Sequence, residues 1–338
     1  MAYGCASSHR RPKAAPTTTV PPTTTTVPPT TTTTPPPPVA PLTGLLQPNA
    51  AQLRAPAVVV KIDNIDDARP QTSVNQADVV YEEMVEGGLT RLAAVFQSHY
   101  PTVVGPVRSG RLTDIAIVDN LNHPALVFAG ANGLFMPTLR AQPVDDIDID
   151  NKPGFFTRDG SRAAPHNLYT NVAADGANDK GAGPPAPLFT YRIAGAPLGA
   201  AGTRPASVAA MAWPAASVEW RYQPAWKVWY RMQNGTLDVD RSGLALTATN
   251  VVIQAVPYVT SAYANEPSSG ITPIPKGKLY GTGNAWILSG GATVAAHWTR
   301  STVTGATTYT DGTGHPINLA PGRTWVELIQ AGTAPAIH

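Results

Sequence analysis

The sequence predicts an α+β N-terminal domain, with a mixed sheet and helices, and then a mostly β C-terminal domain, both behind a disordered Thr/Pro-rich tail. Three observations predict this. Residues 14–41 are almost wholly threonine and proline, a composition that cannot bury enough apolar surface to fold. Between 43 and 174, short β-branched runs alternate with helix-like stretches, the pattern of a layered αβ domain. All seven tryptophans fall at 213 or later, in short alternating runs separated by glycine-rich turns. The expected divisions are therefore a head at 1–42, a domain at 43–174, a linker at 175–204 and a second domain at 205–335.

The head points to export. Its prolines keep it extended, at about 3.1 Å per residue, so it suits a tether. Cys5 is the single cysteine and follows Ala2-Tyr3-Gly4, which is similar to the end of a lipoprotein signal. Only four residues precede it and no apolar stretch leads into it, so the true start is expected upstream, with Cys5 as the lipidation site. A diacyl group there anchors firmly where a single chain does not. Elsewhere no apolar run reaches the roughly 18 residues of a membrane helix. The formal net charge of +2 is too small for a nucleic-acid binder.

In the first domain, Ala57–Ile62 reads as a buried strand ending at Asp63-Asn64, followed by a turn at Ala68-Arg69-Pro70-Gln71. Residues 78–86 and 89–96 read as a hairpin about a two-residue Gly87-Gly88 turn. That register sets Met84 opposite Arg91 and Glu83 opposite Leu92, with Arg91 diagonal to Glu82 and Glu86. Glu83 shares a face with Val79, Tyr81 and Val85, where a carboxylate needs a partner or a proton. Next, Arg108-Ser109-Gly110-Arg111 precedes a helical pattern over 111–121. Ser109 is the expected N-cap, and two guanidiniums at a helix start suggest an anion site. A strand near 126–129 and a short helix over 134–140 follow. The alternating acids of Asp145–Asp150 lack the glycine and closing glutamate of a calcium loop, so they read as a protected edge strand. Pro165-His166-Asn167 closes the informative part, with His166 a possible proton shuttle.

The second domain carries Trp226–Met232, an Asn234-Gly235 turn, Val251–Ile253, Ala285–Leu288, Ala295–Trp298 and Trp325–Ile329 as closely spaced strands of a barrel or sandwich. Its tryptophans serve as core or, on an exposed face, as stacking surfaces for sugars. There is no nucleophile elbow, P-loop, dinucleotide fingerprint or zinc-binding spacing, so no cofactor or metal is expected.

The blocks VKIDNIDDARPQ (60–71), ADVVYEEMVEGGLTRLAAVFQS (77–98), GPVRSGR (105–111) and APHNLYT (164–170) resemble the YerB-like family of bacterial lipoproteins. TATNVVIQ (247–254), GTGNAWILSGG (281–291) and GRTWVELI (322–329) are similar to that family's C-terminal domain. The resemblance implies an architecture and an extracytoplasmic, lipid-anchored location. It implies no reaction, because the family is one of unknown function.

Three functions fit the residues. One is a non-catalytic binder of a cell-wall polymer, an anionic ligand or an envelope protein, using Asp63, Asn64, Arg69, Glu83, Glu86, Arg91, Arg108, Ser109, Arg111, His166 and Asn167. A second is a glycan hydrolase with Glu82, Glu83 and Glu86 as acid and base, and with His166 as a further catalytic candidate. Glu82 and Glu86 lie about 13 Å apart along one strand, too far to act as a pair. The third is an adaptor whose ion pairs are purely internal.

Overall fold

Three apolar strands each carry a charged residue at a position that alternation assigns to the interior: Lys61, Arg231 and Glu327. These positions turn out to organise the fold. The computed structural model describes residues 1–4, 38–131, 133–178, 183–260 and 274–338. The lipidation expected at Cys5 and the disordered tract expected after it lie outside the described residues.

The N-terminal half begins with α1 (Ala50–Leu53), capped by the Asn49 side chain, which accepts from the Ala51 and Gln52 amides. Then follow β1 (Val58–Asp63), β2 (Val79–Met84), β3 (Thr90–Phe96), α2 (Leu112–Val118), β4 (Ala125–Phe128), α3 (Phe135–Leu139) and β5 (Asp145–Asp148). Two short strands, β6 (Phe156–Arg158) and β7 (Leu168–Thr170), pair with each other before α4 (Val172–Asn178). β2, β3 and β1 run antiparallel in turn, while β1, β4 and β5 run parallel, which makes the sheet mixed. β5 lies at the sheet's edge, where its acidic residues oppose edge-to-edge pairing.

The C-terminal half is almost entirely strand. It opens with β8 (Arg204–Pro205), β9 (Val208–Trp213), β10 (Ala216–Gln223), β11 (Val228–Gln233), β12 (Thr236–Leu237) and β13 (Thr247–Ala248). It continues with β14 (Asn250–Val256), β15 (Tyr258–Thr260), β16 (Pro275–Gly277), β17 (Gly281–Ser289), β18 (Ala292–Arg300), β19 (Thr308–Thr310), β20 (Thr324–Gln330) and β21 (Ala336–Ile337). β9 to β13 and β21 form a six-stranded sheet. Its β11–β12 turn uses Asn234 and Gly235, both with positive φ, as the right-handed twist of a tight hairpin requires.

The two halves share the larger sheet. Its path runs β19-β18-β17-β14-β20-β2-β3-β1-β4-β5, with β8 added beside β18. β20 is parallel to β14 on one side and to β2 on the other. The expected divisions at 43–174 and 205–335 are joined through this one sheet, since the last long strand completes the first half's sheet. The described part of the expected linker is not loose. The Tyr191 hydroxyl donates to the Leu42 carbonyl, Arg192 donates to Asn318 and Ser289, and the Ala201 amide donates to Asp311.

Each face of the large sheet is covered. On one, Val79, Tyr81, Ala93 and Val95 pack with α2 and α3. On the other, Val80, Leu92 and Phe96 join a core that includes Trp220, Trp229 and Trp325. Trp220, Trp229, Trp298 and Trp325 are fully buried, whereas Trp226 is 74% exposed. Most tryptophans are thus core.

The hairpin differs from the expected register by one residue. Glu83 faces Arg91 and Met84 faces Thr90, because the turn holds three residues, Glu86–Gly88, closed by the Val85 amide on the Leu89 carbonyl. Gly87 and Gly88 both have positive φ, and a Cβ on Gly88 would lie 2.5 Å from Pro214. A slip of one residue changes every cross-strand partner.

Candidate functional site

Glu82 and Glu83 are neighbours on β2, so their side chains leave the sheet on opposite faces. Each organises a separate network, and both are fully buried.

On the side of the six-stranded sheet, Glu82 accepts from Asn64, from Thr90 at 2.7 Å, and from the Arg231 guanidinium at 2.5 Å. Arg231 also pairs with Asp238, donates to Gln233, and lies 5.2 Å from the Trp325 ring centroid. Glu327 stands opposite Glu82 in the β2–β20 register and accepts from the Trp220 indole at 2.7 Å. Burial alone would lower Arg231, but Glu82, Asp238 and Glu327 hold it above its ordinary value. Burial, and then the charge of Glu82, push Glu327 well above its ordinary value, against the pull of Arg231. This network clamps the two halves together, with Glu82, Arg231 and Glu327 themselves fully buried.

On the helix side, Glu83, Arg91 and Asp63 form one row across β2, β3 and β1. Glu83 is paired with Lys61, whose ammonium also reaches Asp114 at 2.8 Å. Burial and the nearby Asp114 charge push Glu83 up to about 7, against the pull of Lys61. Two carboxylates facing one buried ammonium account for that direction.

The same row opens outward at its other end. Asp63 Oδ2 forms an ion pair with Arg108, 3.0 Å from its Nε, and meets His166 Nδ1 at 2.7 Å. Arg111 Nε lies 2.7 Å from Glu86. Burial pushes Glu86 upward, but the charge and hydrogen bond of Arg111 more than offset this and leave it below its ordinary value. Arg91 donates to the Ser109 carbonyl at 3.0 Å. Burial, together with the charges of Arg111 and Arg108, brings Arg91 down to about 10, with Glu86 and Asp63 opposing. Three guanidiniums thus share the fields of two carboxylates, and Arg108 and Glu86 remain about a quarter exposed. This partly open, net-positive cluster is the candidate site.

Several expected site residues belong elsewhere. Ser109 does not cap α2. Its hydroxyl donates to the Ala129 carbonyl, while Arg111 occupies the cap position and its amide donates to Asp114. α2 has only seven residues, so the arginine cluster cannot rest on a helix dipole. Asn64 lies in the Glu82 network. Arg69 pairs with Asp66 and approaches Asp238, also away from the cluster. Asn167 is buried and braces its own loop through Arg158 and Arg162. Glu82 and Glu83 cannot share a cleft, since they are sealed on opposite faces. Asp63, Glu86, Arg91, Arg108, Arg111 and His166 do come together.

The sequence reading missed Lys61, Asp114, Arg231, Asp238 and Glu327. A signal existed for three of them: a charged residue inside an apolar strand requires a buried counter-charge. No spacing could say which carboxylate each one meets.

Comparison with known proteins follows the same outline. Residues 42–182 match the family described as "Protein of unknown function (DUF3048) N-terminal domain", and residues 208–326 match its C-terminal domain. The chain is 34% identical over 134 residues to "Putative lipoprotein YerB" of Bacillus subtilis (strain 168), covering 39% of this chain and 40% of that relative. The chain therefore spans about two fifths of the length of the curated relative it matches. The crystal structure of the YerB protein from Bacillus subtilis superposes with a TM-score of 0.75 at 23% identity, over 89% of this chain and 99% of the other. That likeness establishes a shared fold.

Proposed function

Because this chain belongs to the two-part DUF3048 family, with both its N-terminal and C-terminal domains present, we propose that it is an extracytoplasmic, lipid-anchored protein that binds an anionic ligand without catalysis. The location is supported by the lipoprotein name of the Bacillus subtilis relative and by the cysteine-then-Thr/Pro head. Among the described residues no helix is long and apolar enough to cross a membrane. The ligand is a phosphate- or carboxylate-bearing wall polymer or envelope partner.

One observation carries the binding reading: Arg91, Arg108 and Arg111 lie together in a partly exposed place, close enough that the charges of Arg111 and Arg108 pull Arg91 down. A bound anion relieves that repulsion and accepts guanidinium hydrogen bonds. The hydrolase reading loses its acid–base pair once Glu82 and Glu83 are buried apart. It would then rest on Glu86 and Asp63, with His166 beside Asp63.

The test is calorimetric titration with inorganic phosphate and with a short poly(glycerol phosphate) oligomer. Saturable, salt-sensitive binding that falls about tenfold or more in Arg91→Ala, with the unfolding temperature retained, is the expected result. Absence of saturable binding to either anion removes this reading.

A further inference from the structure

A cavity of about 480 Å³ in the C-terminal half has no part in the arginine cluster. Its walls come from the segment after Thr190, from the β17–β18 turn and from the β10–β11 turn. The β17–β18 turn is Gly290-Gly291, both with positive φ. Those glycines also allow close approach. A Cβ on Gly291 would lie 2.5 Å from the Tyr222 ring, and one on Gly290 would lie 3.7 Å from the Arg192 guanidinium. The turn therefore brings an aromatic ring and a cation to one wall.

The charge there is one-sided. Arg192 and Lys227 line the cavity and no acidic residue does. The Arg192 guanidinium donates to the Ala196 and Asn318 carbonyls and to the Ser289 hydroxyl, all neutral acceptors. Lys227 is exposed and has no ion pair among the described residues. It sits at φ 55, a left-handed conformation costing on the order of 1 kcal/mol for a residue with a side chain. Two cations without counter-charges on one cavity favour an anion.

The remaining surface suits a sugar ring. Tyr222 forms part of the wall and is held at 5.1 Å from the buried Trp229 ring, which keeps it from swinging away. Trp226, directly before Lys227, is 74% exposed on the same turn, a cost in water unless something covers it. Thr203 and Thr249 add hydroxyls among small apolar residues. A volume of this order, mostly apolar with a few directed polar groups, is the usual form of a small-molecule site.

We propose that this cavity binds a saccharide bearing a carboxylate, the acid taken by Lys227 and Arg192 and the ring by Tyr222. Such a site is separate from the arginine cluster and does not depend on it.

The test titrates the full chain with N-acetylmuramic acid and with N-acetylglucosamine, which differ by the lactyl carboxylate. The acidic sugar should bind at least about tenfold more tightly. Lys227→Gln should abolish that preference without moving the unfolding transition, since Lys227 is exposed and makes no ion pair among the described residues. Arg192→Ala removes three hydrogen bonds that hold its loop, so Lys227→Gln is the deciding variant. Arg91→Ala should leave the sugar affinity unchanged. Equal affinity for the two sugars, no binding of either, an unaffected Lys227→Gln, or loss on Arg91→Ala each overturns the proposal. So does inorganic phosphate binding as tightly as the acidic sugar, which would reduce the cavity to a bare anion site.

Discussion

The two charge networks on either face of β2 contain similar groups and do different work. The Glu82 network places Arg231 among Asp238, Glu82 and Glu327, sealed between two sheets. The cluster around Arg91 gathers three guanidiniums and is partly open to water. Where water is excluded, an uncompensated charge is costly, and burial with the neighbouring Glu82 charge pushes Glu327 well above its ordinary value. Where water reaches, such charge can persist, and it is then available to a ligand. Access to solvent, more than residue type, separates a clamp from a binding site.

That contrast is most easily broken at Arg231. Arg231→Met leaves Glu82 buried without its cation and Asp238 with only Arg69 at 3.9 Å, so chemical denaturation should show a loss of about 3–5 kcal/mol. A loss under about 1 kcal/mol would mean the network is wetter than its burial indicates.

The pH dependence of stability comes next. Glu83 rises from an ordinary 4.5 to about 7 in the folded chain. Below about pH 4.5 both folded and unfolded states carry the proton. Between there and about pH 7 the unfolded chain loses it while the folded chain keeps it. Stability therefore falls as pH rises through that window, by up to about 3 kcal/mol, and levels off above it. Glu83→Gln should reduce the slope in denaturation curves taken from pH 4 to 8 in about half-unit steps, the remainder coming from Asp175, which burial also pushes up to about 7. An unchanged slope would place the titration on another group.

Smaller effects sharpen the other side. Arg91→Ala should alter stability by no more than about 1 kcal/mol, since it removes repulsion along with one hydrogen bond. It should still cost anion affinity about tenfold, read by calorimetry. Marked unfolding would make the cluster structural, as the adaptor reading holds. Smallest of all, Glu86→Gln should change stability by less than about 1 kcal/mol, because the pair with Arg111 is partly exposed. It should raise anion affinity a few-fold and steepen its dependence on salt.

Much of this protein was readable from its residues alone. Apolar periodicity placed β1, the β2–β3 hairpin and the Asn234-Gly235 turn, because side-chain alternation and positive-φ turns are local properties. Glu83 was marked as a buried carboxylate for the same reason: its own strand put it on the apolar face. What the chain could not disclose locally was pairing across long separations. That β20 completes the sheet beside β2, that Glu82 meets Arg231, and that Lys61 rather than Arg91 neutralises Glu83 depend on contacts between residues distant in sequence. The hairpin shows how little it takes. One extra residue in the turn moved Arg91 from Met84 to Glu83, and only the closure of the Val85–Leu89 bond decided it. Composition and period determine which residues go inside; the assembled sheets determine which charges they find there.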